Sequence, residues 1–298
     1  MVAAGMFNPM SFRSIVPTWE AAEHLAATKK LYHEMEAHWG VKLVHSLPLI
    51  KVMPDASYAE KWNNKVDNQS VPFIQHITTN EAVKAPFGIG VVSECGYVDL
   101  PLLVEQMRSE LEQNGCYTNA AVEMHHIVQE EDHHRWADLR AKCVVFAAGA
   151  AFSHDEVPVV PNKGEVLTVT SHQAPRNAII NHSKWLMPHH SGVFRLGATY
   201  ERPPFDPHPS DDTHRELLKR IQEVVEADLE VVRHEAGIRP TSPDRKPMIG
   251  RLNNGVYVLN GLGTRGVLVV ARTTESLLDH LMHGTPIPKE LDILRFKK

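Results

Sequence analysis

The chain has 298 residues, 43% apolar and 22% charged, with a formal net charge of −5. That is the composition of a globular chain with core enough for one large or two ordinary domains, and its acidic balance argues against a nucleic-acid binder, which needs a basic face. No apolar run approaches the roughly 20 residues of a membrane span, the first residues lack the basic and apolar regions of a signal peptide, and the three separated cysteines suit free thiols in the cytoplasm.

In chain order, the spacing of Leu25, Tyr32, Met35 and Trp39 predicts a helix over 18–39, with Pro17 at its start and Gly40 at its stop. Leu43 to Met53 predicts a strand that Pro48 bends or keeps at an edge. Residues 54–70 are polar, and Val71 to Ala82 looks extended. Asp99 is a good N-cap, with Pro101 in the first turn of a helix that Gly115 ends. Val122 to Val128 and Cys143 to Ala147 are strand candidates. The second is a continuous apolar run into Ala148-Gly149, as in buried parallel strands. Cys143 reads there as a small apolar residue.

The middle third changes character. Gly164 to Thr170, Ala178 to His182 and Val193 to Thr199 alternate and are separated by turn residues, which predicts an antiparallel sheet. Pro203 to Ser210 holds four of the chain's 20 prolines and is a loop. Ser210 then caps a helix with Leu217, Ile221, Val224 and Val225 on one side. Near the C-terminus a β-branched strand, Val256 to Asn260, runs through a glycine-rich turn into an apolar helix over 267–282. Helix-plus-parallel-strand pieces thus flank a β middle, a mixed α/β fold in two intertwined domains.

Gly261-x-Gly263-x-x-Gly266 matches the dinucleotide fingerprint only in its letters. A true fingerprint opens a β-α-β unit whose second strand ends in an acid about 20 residues on. Here one helix and a Gly-Thr-Pro turn follow, and Asp279 lies inside that helix. A nicotinamide or ADP site at this loop is rejected. The loop still offers close backbone approach to a flat ligand and a helix N-terminus with its positive dipole end. A plain strand-to-helix turn would have the same letters.

Several segments, in order, resemble the D-amino-acid-oxidase family of FAD-dependent oxidoreductases. They are Val2-Ala3-Ala4-Gly5-Met6-Phe7-Asn8-Pro9, Gly96-Tyr97-Val98-Asp99-Leu100-Pro101, Val144 to Gly149, Pro161-x-Lys163-Gly164-Glu165, Leu196 to Glu201, and the two C-terminal stretches Gly237 to Gly250 and Val256 to Val267. The resemblance implies a Rossmann-like flavin domain over 1–40, 96–162 and 237–298. It also implies a substrate domain, built on an antiparallel sheet, over 41–95 and 163–236. FAD would be held by Ala4, Gly5, Met6, Asn8, Ala148, Gly149, Gly261, Gly263, Thr264, Gly266 and Val267. Arg239 would clamp a substrate carboxylate, Arg265 would face the substrate, and Tyr200 would be a hydrogen-bonding wall. The implied reaction oxidises the C–N bond of an amino acid or related amine by hydride transfer to flavin N5. The imine hydrolyses, and dioxygen or another acceptor takes the electrons. Family members open with a strand, a Gly-x-Gly-x-x-Gly turn, a helix and a second strand ending in an acid. This sequence starts after that unit, so its flavin domain is expected to be incomplete at the N-terminus. An inactive or non-catalytic chain that no longer holds FAD is the alternative.

Other readings stay open for single residues. Arg239 could simply pair with Asp244 in the same loop, and Tyr200 could be a sheet residue with a satisfied hydroxyl. Nineteen histidines invite a metal reading. The pairs His125-His126, His133-His134 and His189-His190 are adjacent, however, and neighbours on a helix or strand point to different sides. They read as solvated histidines, with no metal site.

Overall fold

In the computed structural model, which describes residues 2–190 and 192–297, three short strands come first: β1 (Met6–Phe7), β2 (Met10–Ser11) and β3 (Val16–Pro17). Helix α1 (Ala21–Trp39), β4 (Val44–Ser46), β5 (Leu49–Val52), α2 (Ala56–Asp67), β6 (Ile89–Val92), β7 (Gly96–Val98) and α3 (Leu100–Gln113) follow. Next come β8 (Val128–Gln129), β9 (His134–Trp136), β10 (Leu139–Ala141), β11 (Val145–Phe146), β12 (Val160–Thr170), β13 (Ile179–Asn181), β14 (Trp185–Pro188) and β15 (Val193–Gly197). The chain closes with α4 (Asp211–Gln222), β16 (Glu230–Thr241), β17 (Met248–Arg251), β18 (Tyr257–Asn260) and α5 (Gly266–His283).

The chain divides into two compact units. One comprises Met1–Leu100 and Lys163–Ile238, the other Pro101–Asn162 and Arg239–Lys298. Residues 1–40, expected from the sequence to belong to the flavin domain, therefore fall in the first unit. The reason is local pairing: Met6 lies opposite Tyr97 and Phe7 opposite Gly96, and β7 pairs in turn with β4.

The first unit is built on a seven-stranded sheet of order β16-β12-β15-β14-β13-β5-β6. The antiparallel expectation holds for β12–β15, β15–β14, β14–β13 and β5–β6, while β13 and β5 run parallel. Both faces are covered, and the period-2 alternation of strands sorts neighbours between them. Ile50, Ile180 and Leu186 join Leu217 and Ile221 of α4 in one core, whereas Leu49, Ile179 and Met187 join Trp62 of α2, Cys95 and Tyr97 in the other. Helix α4 starts where expected, with Ser210 Oγ accepting the Thr213 N–H at 3.2 Å. Helix α2 replaces a stretch read only as polar. Asp55 caps it through the Tyr58 N–H, and Trp62 is its one buried residue. Pro48 separates β4 from β5, which belong to different sheets. Val71 to Ala82 forms no strand, only the single bridges Ile74–Val92 and Thr78–Ile89.

Polar groups inside the sheet find partners inside it. Lys51, 6% exposed, donates to Asn181 Oδ1 (3.1 Å) and His182 O (2.6 Å). Burial brings its ammonium down to about 8. Lys163 Nζ lies 2.8 Å from Glu165 Oε1, both side chains almost wholly buried, and His234 Nε2 lies 2.8 Å from Glu165 Oε2. Burial alone would raise the Glu165 carboxyl, but Lys163, the Ser210 N–H and His234 outweigh it and hold it below its ordinary value.

In the second unit β11, β18 and β17 form a small mixed sheet, and β8, β9 and β10 an antiparallel meander. The core gathers Phe152, Val157, Met248, Leu252, Val258 and Ile293. β11 is the edge strand, so Val145 is 39% exposed. The expected buried strand over 143–147 is thus shorter and more exposed than its apolar run suggests. Met124–His126 forms a 3-10 turn where a strand was expected over 122–128. Among the described residues no helix is long and apolar enough to cross a membrane.

Lys163→Met leaves the buried Glu165 carboxylate short of a counter-charge and is expected to cost about 3 kcal/mol in urea unfolding at neutral pH. The Glu165 value is depressed, so its stabilisation is complete above the ordinary 4.5 and is lost as pH falls through the lower folded value. The gap between variant and wild type should therefore narrow in acid.

Candidate functional site

In the second unit, two loops leave the small sheet at the same end because their strands are parallel neighbours. Val145 of β11 lies opposite Tyr257 of β18, and Phe146 opposite Val258. The first loop carries Ala148 and Gly149; the second runs from Gly261 to Arg265. Asn260, 2% exposed, ties them together. Its Nδ2 donates to Gly149 O at 3.0 Å, and its Oδ1 accepts the Gly261 N–H at 2.8 Å. Asn260 was not among the expected site residues. Its only signal in the sequence is a polar residue closing an apolar strand just ahead of a glycine.

The end of β16 reaches the same loop. Thr241 forms a β-bridge with Leu262, and its hydroxyl donates to Val160 O. Arg239, two residues earlier and so on the same face of the strand, is half-buried. Its Nη1 donates to Oδ1 of the buried Asn162 at 2.9 Å. The alternative Arg239–Asp244 pair gives way to another arrangement: Asp244 is engaged by Arg295, whose Nε lies 2.8 Å from Oδ2. Arg295, Lys246 N–H and Ser242 overcome the effect of burial and hold Asp244 below its usual value.

Arg265 ends the short 3-10 turn Gly263–Arg265 that leads into α5. Burial, reinforced by the charge of Arg245, brings its guanidinium down to about 10. A neighbouring anion would oppose both effects. The two glycines flanking this turn differ. Gly261 has φ +73°, so the backbone favours glycine there, while a Cβ would lie 2.9 Å from Met248 Cε, the movable end of that side chain. Gly266 has φ −47° at the first position of α5, and the nearest atom to a Cβ would be Leu262 Cβ at 3.5 Å. Nothing within the chain requires glycine there. Thr264 is exposed and Val267 partly buried.

The remaining expected residues lie in the first unit. Ala4 and Met6 pack against its core, and Gly5 is glycine because a Cβ would strike Val98 O at 2.0 Å. The Asn8 side chain accepts the Met10 N–H at 3.0 Å. The segment is anchored by Arg195, whose Nη2 donates to Val2 O at 2.7 Å and whose Nη1 donates to Thr168 Oγ1 at 2.7 Å and Glu235 Oε2 at 3.3 Å. Tyr200 lies just beyond β15 and is 49% exposed. The structure thus gathers Arg239, Arg265, Ala148, Gly149 and the glycine loop in one unit, and Ala4, Gly5, Met6, Asn8 and Tyr200 in the other.

Residues 2–274 match the family described as FAD dependent oxidoreductase. The chain belongs to this family of flavoenzymes. A glycine oxidase of Pseudomonas aeruginosa is 28% identical over 273 residues, covering 81% of this chain and 72% of that protein. A tRNA 5-methylaminomethyl-2-thiouridine biosynthesis bifunctional protein of Caulobacter vibrioides is 29% identical over 163 residues, 52% of this chain but only 27% of its own length. Among solved structures, a glycine oxidase from Geobacillus kaustophilus superposes with a TM-score of 0.78 at 21% identity, covering 96% of this chain and 85% of that one. An iminodiacetate oxidase from Chelativorans sp. BNC1 gives 0.79 at 19% identity, over 97% and 87% of the two chains. At such identities these structures support the fold.

The contrast between the two glycines is measurable without any ligand. Gly261→Ala is expected to lose more than about 1 kcal/mol of stability, because alanine must take up a positive φ against Met248. Gly266→Ala should be neutral or gain up to about 1 kcal/mol, since alanine is the better helix former. Thermal unfolding of the two variants distinguishes these outcomes.

Proposed function

We propose that this chain oxidises an amino acid or a related small amine bearing a carboxylate, at its C–N bond, with FAD as its cofactor. The observation that carries this reading is the Thr241–Leu262 bridge, which sets the arginine-bearing strand β16 against the glycine loop that opens α5. Family membership and the glycine oxidase relative point the same way.

The residues fit a flavin. A Cβ at Gly266 would meet only Leu262 Cβ, at ordinary contact distance, and the residue opens a helix N-terminus, where an electron-rich ring is favoured by the dipole. Ala148, Gly149, Gly261, Gly263, Thr264 and Val267, all in the second unit, would hold the ring. Bound FAD supplies the hydride acceptor; the protein's part is to place the substrate. Arg239 offers a planar fork suited to a carboxylate, and Asn162 fixes its orientation from behind. Arg265 adds a second cation whose charge an anionic ligand would favour. Dioxygen or another acceptor would remove the electrons.

The test is a visible spectrum of the purified chain incubated with excess FAD and desalted, followed by anaerobic addition of small amino acids. Retained flavin bands that bleach on addition support the reading; a protein that stays colourless overturns it. Gly266→Ala should fold yet lose flavin. Arg239→Met should keep flavin and lose on the order of 100-fold in kcat/KM, the scale of one charge-assisted carboxylate contact.

A further inference from the structure

We propose that Asp99, His189 and His190 form a binding site for one divalent transition-metal ion, zinc(II) or cobalt(II), in the first unit. One donor atom from each of the three side chains lies within 4.8 Å of the other two. The pair Asp99 Oδ2 and His190 Nε2 is already at 3.5 Å. Donors bound to a tetrahedral zinc at about 2.0–2.1 Å stand roughly 3.4 Å apart, so the two sides of the triangle that meet at His189, neither longer than 4.8 Å, have only a small distance to close.

Adjacent histidines meet here because they are not both in a strand. β14 ends at Pro188, the His189 N–H donates to Val193 O at 2.9 Å, and His190 O accepts the Val193 N–H at 3.0 Å. The pair therefore sits at the mouth of the β14–β15 turn, where strict side-to-side alternation ends. Their ring centroids are 4.1 Å apart, edge to face. The expectation that adjacent histidines point to opposite sides does not apply to this pair.

The remaining features are those of a prepared site. Asp99 follows β7, and its side chain is 8% exposed, whereas that of His190 is 62% exposed and gives solvent a way in. The His189 ring stacks on Tyr97 (4.9 Å, 26°), and Tyr97 stacks on His45 (4.6 Å, 10°). The Tyr97 hydroxyl donates to His189 O at 3.0 Å. Such outer contacts fix a ligand's orientation before the ion arrives. Two imidazoles and one carboxylate, with the other positions left to water, suit zinc and its neighbours rather than magnesium or calcium. The ion would join β7 to the β14–β15 turn, and it uses none of the residues assigned to flavin or substrate.

The test uses the full chain without an affinity tag, stripped with a chelator. Cobalt(II) should produce visible d–d absorption that saturates at one ion per chain and is displaced by zinc. Zinc should also raise the melting temperature, because it binds the folded state. His190→Ala, a change at an exposed side chain, should abolish both signals. Asp99→Asn, which keeps a helix-capping side chain, should weaken binding at least about tenfold. His125→Ala, in another adjacent pair, should behave as wild type. The proposal is overturned if cobalt gives no saturable spectrum, if His190→Ala binds as well as wild type, or if His125→Ala loses the signal.

Discussion

Strands covered on both faces have no side to give to water. That constraint governs the inner strands of the first unit's sheet. Leu49-Ile50-Lys51-Val52 is buried at every position, so its one charged residue must be satisfied from within. Lys51 is held by Asn181 and a carbonyl, and Lys163 by Glu165. Each such group is desolvated, and its partner offsets that cost only with good geometry. The buried polar residues of the sheet's inner strands are therefore as constrained in position as its leucines.

The second unit works by a different rule. Its sheet is small and its edge strand half-exposed, so little of its order comes from burial. The loops beside it are held by specific hydrogen bonds: Asn260 to Gly149 and Gly261, Asn162 to Arg239, Thr241 to Val160. Functional loops on a scaffold need their geometry defined without a thick core around them. Amide side chains serve this well, because one group can donate and accept at once.

What could be read from the sequence follows this division. Helix α4 was legible because Ser210 and the spacing of Leu217 and Ile221 are local signals. The glycine loop was legible because strand, turn and helix are consecutive. Helix α2 was not, since a single tryptophan anchors a polar segment and gives no stripe. Strand β14 was passed over because Trp185-Leu186-Met187-Pro188 has no alternation, both faces of the sheet being buried. Arg239 was singled out by its motif, while Asn162, Asn260 and Arg195 were not. The role of each depends on a partner far away in sequence, and no local pattern records it. The same holds for His189 and His190, whose meeting depends on where a turn begins.

Two of the three thiols, Cys95 and Cys116, offer a kinetic reading of the same architecture. Cys95 lies in the core beneath the large sheet, and burial pushes its thiol up to about 12. Cys116 is exposed in the other unit. A thiol-modifying reagent therefore meets two clocks in one molecule. Cys116 reacts at the intrinsic rate of a surface thiol, while Cys95 reacts only when β6 and β7 part from their neighbours. The ratio of the two rates measures how often the native core opens.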